Sequence, residues 1–151
     1  MTTTPQQQKP PASLFLYLAY RDATAALGWL GTAFGFEITM SAPDDKGGVA
    51  HAELRVGDAS IIVFSDDDGC ERPPRRGFTI GFGAYLCLAE QTDVDQIHAR
   101  AVAAGAVSVW QPESTEWGNY RCRVVDPEGY EWTFGTHRPG EPTGDWSDDD
   151  A

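Results

Sequence analysis

His51 and Glu53 stand two residues apart in Val49-Ala-His-Ala-Glu-Leu-Arg-Val56, so within a strand they share one face. An imidazole beside a carboxylate suits general acid–base chemistry. With a third donor it suits a divalent cation, and Glu131 in Tyr130-Glu-Trp-Thr-Phe-Gly135 is the candidate third. The plainer reading has His51 and Glu53 bonded to neighbouring strands or to Arg55 near a cleft rim. Two tryptophans, Trp110 and Trp117, flank the stretch from Gln111 to Gly118. They are placed to stack on a flat ligand or clamp a cation, or simply to pin the loop to the sheet. Trp29 falls on a helix, Trp132 belongs under one, and Trp146 lies in the tail. His98 reads as a helix-face residue, and His137 as a solvated residue after the last strand.

Other chemistries lack their residues. There is no Gly-rich phosphate loop, no nucleophile elbow and no zinc-spaced Cys/His set. Cys70, Cys87 and Cys122 have no CxxC spacing and read as reduced thiols in a cytoplasmic protein. A net charge of −12 argues against nucleic acid, which needs clustered Lys and Arg. The run Arg72-Pro-Pro-Arg-Arg76 reads as a linker with local salt bridges. The acidic balance would suit a cationic ligand, but the tail and Asp66-Asp67-Asp68 supply much of it, so solubilising surface charge is the main reading. No apolar run is long enough for a membrane span, and the first residues lack the apolar core of a signal peptide. Residues 1–12 read as a flexible leader and 139–151 as an acidic disordered tail.

The elements that must position these residues come as a repeat. Leu16-Tyr-Leu-Ala19 recurs as Leu86-Cys-Leu-Ala89, an offset of 70, and the same offset maps Ala33 onto Ala103 and Gly35 onto Gly105. Each half reads strand, helix, three strands. The fold class is α+β: two βαβββ modules, about 13–68 and 78–138, in one domain over 13–138, forming a curved mixed sheet with a concave ligand cleft. In the first, Leu14–Tyr20 is a strand, Asp22 an N-cap, Ala23–Phe34 a helix stopped by Gly35, and Phe36–Met40, Val49–Val56 and Ser60–Phe64 are strands. In the second, Gly83–Ala89 is a strand and Asp93 caps a helix from about Val94 to Ala104. Strands Val107–Trp110, Asn119–Val125 and Tyr130–Gly135 follow, with 111–118 as a long connection.

Alternation sorts these strands into faces. Leu14, Leu16, Leu18, Ile61, Val63, Leu86, Leu88, Trp132 and Phe134 belong under the helices. The opposite faces carry Phe15, Tyr17, Ile62, Phe64, Tyr85, Cys87, Glu131 and Thr133, with His51 and Glu53 beside them. One covered and one free curved face make a natural ligand cleft.

The segments Val49–Asp58, Ala103-Ala-Gly-Ala106 and Trp117–Gly135, together with the repeat, resemble the vicinal-oxygen-chelate superfamily, which contains the glyoxalases, bleomycin resistance proteins and extradiol dioxygenases. The resemblance runs from about Leu14 to Arg138. Metal-dependent members place His or Glu at four cleft-facing strand positions, and alignment puts Phe15, Ile62, Tyr85 and Thr133 there. The resemblance therefore implies a metal-independent, cofactor-free binder of an aromatic or cationic metabolite or antibiotic, of the sequestering type. Phe15, Tyr17, Ile62, Phe64, Tyr85, Trp110, Trp117, Tyr120 and Thr133 would line the cleft, with His51, Glu53 and Glu131 as its polar groups. The alternative is an enzyme, a lyase, isomerase or dioxygenase-like member, using His51 and Glu53 with or without a displaced metal. A homodimer is the assembly the resemblance implies.

Overall fold

The computed structural model describes residues 11–141. The expected leader up to residue 10, the tail from residue 142 and Trp146 lie outside the described residues. The order is β1 (Leu16–Tyr20), α1 (Ala23–Phe34), β2 (Glu37–Pro43), β3 (Val49–Val56), β4 (Ala59–Ser65), β5 (Ala84–Cys87), α2 (Gln91–Ala103), β6 (Val107–Ser114), β7 (Tyr120–Val125) and β8 (Glu131–Gly135). This is the βαβββ pattern twice.

The strands form two four-stranded mixed sheets, ordered β1-β4-β3-β2 and β5-β8-β7-β6, rather than one hydrogen-bonded sheet. In each sheet the first strand runs parallel to the last, and the other pairs are antiparallel. The edges β1 and β5 meet across a seam, since Leu14, Phe15 and Leu16 line one cavity of about 210 Å³ with Ala84, Tyr85 and Leu86.

Both helices cover the same side. Helix α1 buries Ala23, Ala26, Leu27, Leu30, Ala33 and Phe34, spaced at helical period on one stripe. Asp22 caps its start by accepting from the Ala25 amide, and Gly35 stops it at φ 83°, a left-handed conformation a Cβ would strain. Phe34 reaches past its own sheet to Trp132 and Phe134, with ring centroids 5.0 Å away in each case. The halves therefore share one core, including Leu18, Leu54, Val63, Val94, Cys122, Val124, Trp132 and Phe134. Trp29 joins the helices by donating from Nε1 to the Ala104 carbonyl at 2.7 Å. Arg100 of α2 donates to the Thr32 and Gly31 carbonyls at the end of α1.

A second tie joins the Asp126–Gly129 turn to the first half. The Asp126 carboxylate accepts from the Tyr20 hydroxyl at 2.7 Å and from Trp132 Nε1 at 3.1 Å. Glu128 accepts from the Arg21 and Asp22 amides. Arg72 donates to the Ala19 carbonyl and to Asp66 and Glu128, and lies over the Tyr130 ring. The arginine run is thus a linker with salt bridges, and Arg72 binds the halves together.

Several boundaries differ from the sequence reading. Helix α2 starts at Gln91 because Asp93 is its third residue, not its cap: the Asp93 carboxylate accepts from the Glu90 amide at 3.0 Å. The first half of the expected connection 111–118 is strand, since β6 runs to Ser114 along an edge that tolerates Pro112. The β1/β5 alignment also changes. Leu16 and Leu18 lie opposite Ile61 and Val63, whereas Ala84 and Leu86 lie opposite Trp132 and Phe134. Leu18 therefore matches Leu86, an offset of 68 rather than 70, while Gly35 and Gly105 keep 70. Helix α2 is the longer helix, 13 residues against 12, and takes up part of the difference.

Candidate functional site

The faces turned away from the helices carry the site. In the first half β3 presents His51, Glu53 and Arg55, β4 presents Ser60, Ile62 and Phe64, and β1 presents Tyr17, their neighbours Ala52, Leu54, Ile61, Val63 and Leu18 being core. The Tyr17 and Phe64 rings lie 6.1 Å apart, tilted. Tyr17 is 70% exposed and Phe15 is 56% exposed, a large apolar area to leave in water. Phe15, Glu53 and Ile62 share a cavity of about 250 Å³. His51 Nε2 lies 2.8 Å from Glu53 Oε2, so the pair foreseen from the i, i+2 spacing is present and exposed.

Register corrects the centre of the face. Tyr17, not Phe15, stands opposite Ile62, as Tyr85 stands opposite Thr133. The four central positions are therefore Tyr17, Ile62, Tyr85 and Thr133. Two phenols, a hydrocarbon and one hydroxyl are not a donor set for a divalent cation. His51, Glu53 and Glu131 do not stand in for one: among the described residues no group of three or more His, Cys, Asp or Glu is placed to hold a metal.

The second half is chemically different. Glu131 faces the cleft side but is only 4% exposed. It accepts from Thr79 Oγ1 at 3.0 Å and the Ile80 amide at 2.9 Å, and its carboxylate lies 3.5 Å from Arg123 Nε. Its charge is consumed by the loop after the linker, so it is not free for a cationic ligand. Thr133 likewise accepts from Arg123 Nε at 2.8 Å. Tyr85 donates to the His137 carbonyl at 2.6 Å, and Gly135 leaves room for that hydroxyl and for the Asn119 amide, both of which a Cβ would overlap. Trp117 packs edge-on against His137, centroids 5.3 Å apart, at the end of this face. His137 is thereby part of the site's edge, not a solvated appendage. Tyr120 does not belong to the cleft: it packs against the core, and its hydroxyl donates to Asp95 of α2 at 2.5 Å.

The sequence reading passed over Arg121 and Arg123. Both guanidinium carbons lie 4.0 Å from the Trp110 ring centroid, and Phe78 adds a second ring 5.8 Å from it. Arg123 also donates to the Phe78 carbonyl at 2.7 Å. Burial pushes the Arg123 guanidinium below its ordinary range, opposed by the Glu131 charge. The strand alternation that exposed His51 and Glu53 on β3, continued onto β7, identifies both arginines. Phe78 and Phe82 come from the loop before β5 and carry no such signal. Tyr17, Phe64, Phe82 and Glu131 together line a cavity of about 220 Å³ across the seam. A wider depression, about 830 Å³, is an open groove between α1 and α2 lined by Leu27, Gly31, Ile38 and Arg100 among others; it holds none of this chemistry.

Comparison with known proteins agrees with this architecture. TioX from Micromonospora sp. ML1 superposes with a TM-score of 0.63 at 28% identity, covering 85% of this chain and 100% of that one. Lactoylglutathione lyase from Agrobacterium tumefaciens gives a TM-score of 0.59 at 22% identity over 84% of this chain and 95% of that one, a likeness of fold alone. The uncharacterized protein Rv0887c of Mycobacterium tuberculosis (strain ATCC 25618 / H37Rv) is 28% identical over 120 residues, 79% of this chain and 71% of that protein. The model of the Glyoxalase/Bleomycin resistance protein/Dioxygenase superfamily matches residues 14–134. With the paired βαβββ halves and one shared core, the chain belongs to that superfamily.

Proposed function

We propose that this chain binds a planar, largely apolar small molecule on its concave face without using a metal, as a sequestering protein of metabolite or antibiotic. The observation that carries this reading is the composition of the four central positions, Tyr17, Ile62, Tyr85 and Thr133, in register where a metal-dependent member would hold donors. Exposed Phe15 and Tyr17, and Phe64 beside Tyr17, supply stacking surface. Removing that area from water favours binding by about 25 cal/mol per Å² of apolar surface. Glu53 remains the available acid, because Glu131 is already paired.

The test is a thermal-shift screen of aromatic natural products and antibiotics, with recovery of each stabilising compound after incubation. Stabilisation follows mass action. A clear rise in melting temperature, with the compound recovered unchanged, supports the reading; a compound recovered chemically altered contradicts it.

A second reading is catalytic. It is favoured by the 2.8 Å His51–Glu53 contact, in which the carboxylate orients the imidazole to move a proton. Turnover abolished by His51→Gln, with binding retained, would establish it in place of the first. The exposed side chains of Leu14, 96% exposed, Phe15 and Tyr17 also suit a homodimer in which a second copy covers them. Light scattering at twice the chain mass supports that assembly, and the monomer mass contradicts it.

A further inference from the structure

The two halves put opposite charge at equivalent places. Strands β3 and β7 match at an offset of 70, so His51 and Glu53 correspond to Arg121 and Arg123. Register agrees, because Glu53 lies opposite Ile62 and Arg123 opposite Thr133, the residues across from Tyr17 and Tyr85 in their own sheets. Glu53 is therefore the carboxylate on one side of the central floor, with Arg55 further along its strand, and Arg121 and Arg123 are the guanidinium groups on the other, beside Glu113 and Glu131, in a chain whose net charge is −12.

The two arginines differ in what they have left to offer. Arg123 is committed to Thr133, Glu131 and the Phe78 carbonyl. Arg121 makes one hydrogen bond, from Nη1 to the exposed Glu113 at 3.1 Å. Its other N–H groups have no hydrogen-bond partner among the described residues, on a side chain 15% exposed, and the Trp110 ring lies 4.0 Å from the guanidinium carbon. A stacked guanidinium with unpaired N–H donors at a cleft wall is suited to a carboxylate or another oxyanion. Across the floor, Glu53 uses Oε2 toward His51 and leaves Oε1 without a partner among the described residues. From β3 to β7 the face passes β4, β1, β5 and β8, about 5 Å for each hydrogen-bonded step with the seam between β1 and β5 besides, so only an elongated molecule touches both sides.

Resting on the cleft reading above, we propose that the ligand is an elongated zwitterion. Its apolar body lies over Tyr17 and Phe64, its cationic end pairs with Glu53, and its anionic end pairs with Arg121. This is a different chemistry from the purely cationic ligand that the acidic composition suggests.

Calorimetric titration of the whole chain with three rod-like para-quinquephenyls, long enough to span the five strand spacings, tests it: one with a terminal carboxylate, one with a terminal aminomethyl group, and one with both. The doubly charged probe is expected to bind most tightly. Arg121→Gln should weaken the carboxylate probe by about tenfold and leave the amine probe unchanged, the size of one lost charge-assisted hydrogen bond. Glu53→Gln should do the reverse; Glu53 is exposed, so that variant remains informative if Arg121→Gln fails to fold. Binding that is insensitive to probe charge, or to both substitutions, overturns the zwitterion while leaving the cleft reading standing. Binding of the probes that survives Tyr17→Ala unchanged, or no binding of any of the three, overturns the cleft reading itself.

Discussion

Glu131 accepts two hydrogen bonds from the Thr79–Ile80 segment and lies against Arg123, whereas Glu53 is half exposed and its carboxylate pairs, among the described residues, with His51. The two carboxylates should respond to truncation in opposite ways. Glu131→Ala leaves Arg123 without its charge partner and frees the loop, and is expected to lower stability by about 3 kcal/mol in urea unfolding. Glu53→Ala should leave stability within about 0.5 kcal/mol, because an exposed pair contributes little, yet weaken ligand binding. Equal losses would contradict this division of roles. Both residues were legible in the sequence as cleft-facing, since alternation alone places them. The pairing of Glu131 was not legible, because its donors lie some fifty residues earlier in a loop with no periodic pattern. Tyr120 was misplaced for a related reason: the parity of β7 puts it with Cys122 and Val124 on the core side, where Asp95 of α2 meets its hydroxyl.

At the scale of elements, the repeat was readable because both halves must cover one sheet face with one helix. Gly35 and Gly105 show this most directly, both holding positive φ after a helix. Gly35→Ala is expected to cost about 1–2 kcal/mol, the penalty for a Cβ in the left-handed region, measured as a shift in the denaturation midpoint. No loss of stability would mean the helix stop is not set there. The register of β1 was not readable. Leu-x-Leu-Ala matches at an offset of 70, but pairing with β4 and β8 selects 68, and only hydrogen bonding across strands distinguishes two in-phase alignments. The consequence is functional, because the shift moves Tyr17 into the centre in place of Phe15.

Over the whole molecule, the ties between the halves matter more than either sheet alone. Phe34 against Trp132 and Phe134, and Tyr20 against Asp126, join residues about a hundred positions apart. The halves should therefore unfold together, with tryptophan fluorescence and far-ultraviolet circular dichroism giving one midpoint; two separated midpoints would contradict the shared core. Tyr20→Phe removes a donor from the buried Asp126 and should lower the unfolding free energy by about 1–3 kcal/mol, shifting that common midpoint down.

Acid should weaken the Asp66–Arg72 tie. Backbone donation from Cys70, with further help from Arg72 and Asp68, holds the Asp66 carboxyl at about 2, below its ordinary 3.8. A carboxyl depressed by folding stabilises above its unfolded value, and that stability is lost as pH falls from about 4 through 2. The stability gap between the parent chain and Asp66→Asn should narrow across that window, and a gap independent of pH would contradict the assignment.

The central claim is a cleft that binds through aromatic surface and needs no metal. Its most direct measurement is a calorimetric titration of one stabilising compound, run in chelator and again with added divalent cations, on the parent chain and on Tyr17→Ala. The same affinity is expected with and without metal, with a marked loss of affinity in Tyr17→Ala. Binding that appears only with a divalent cation, or that survives Tyr17→Ala unchanged, would contradict it.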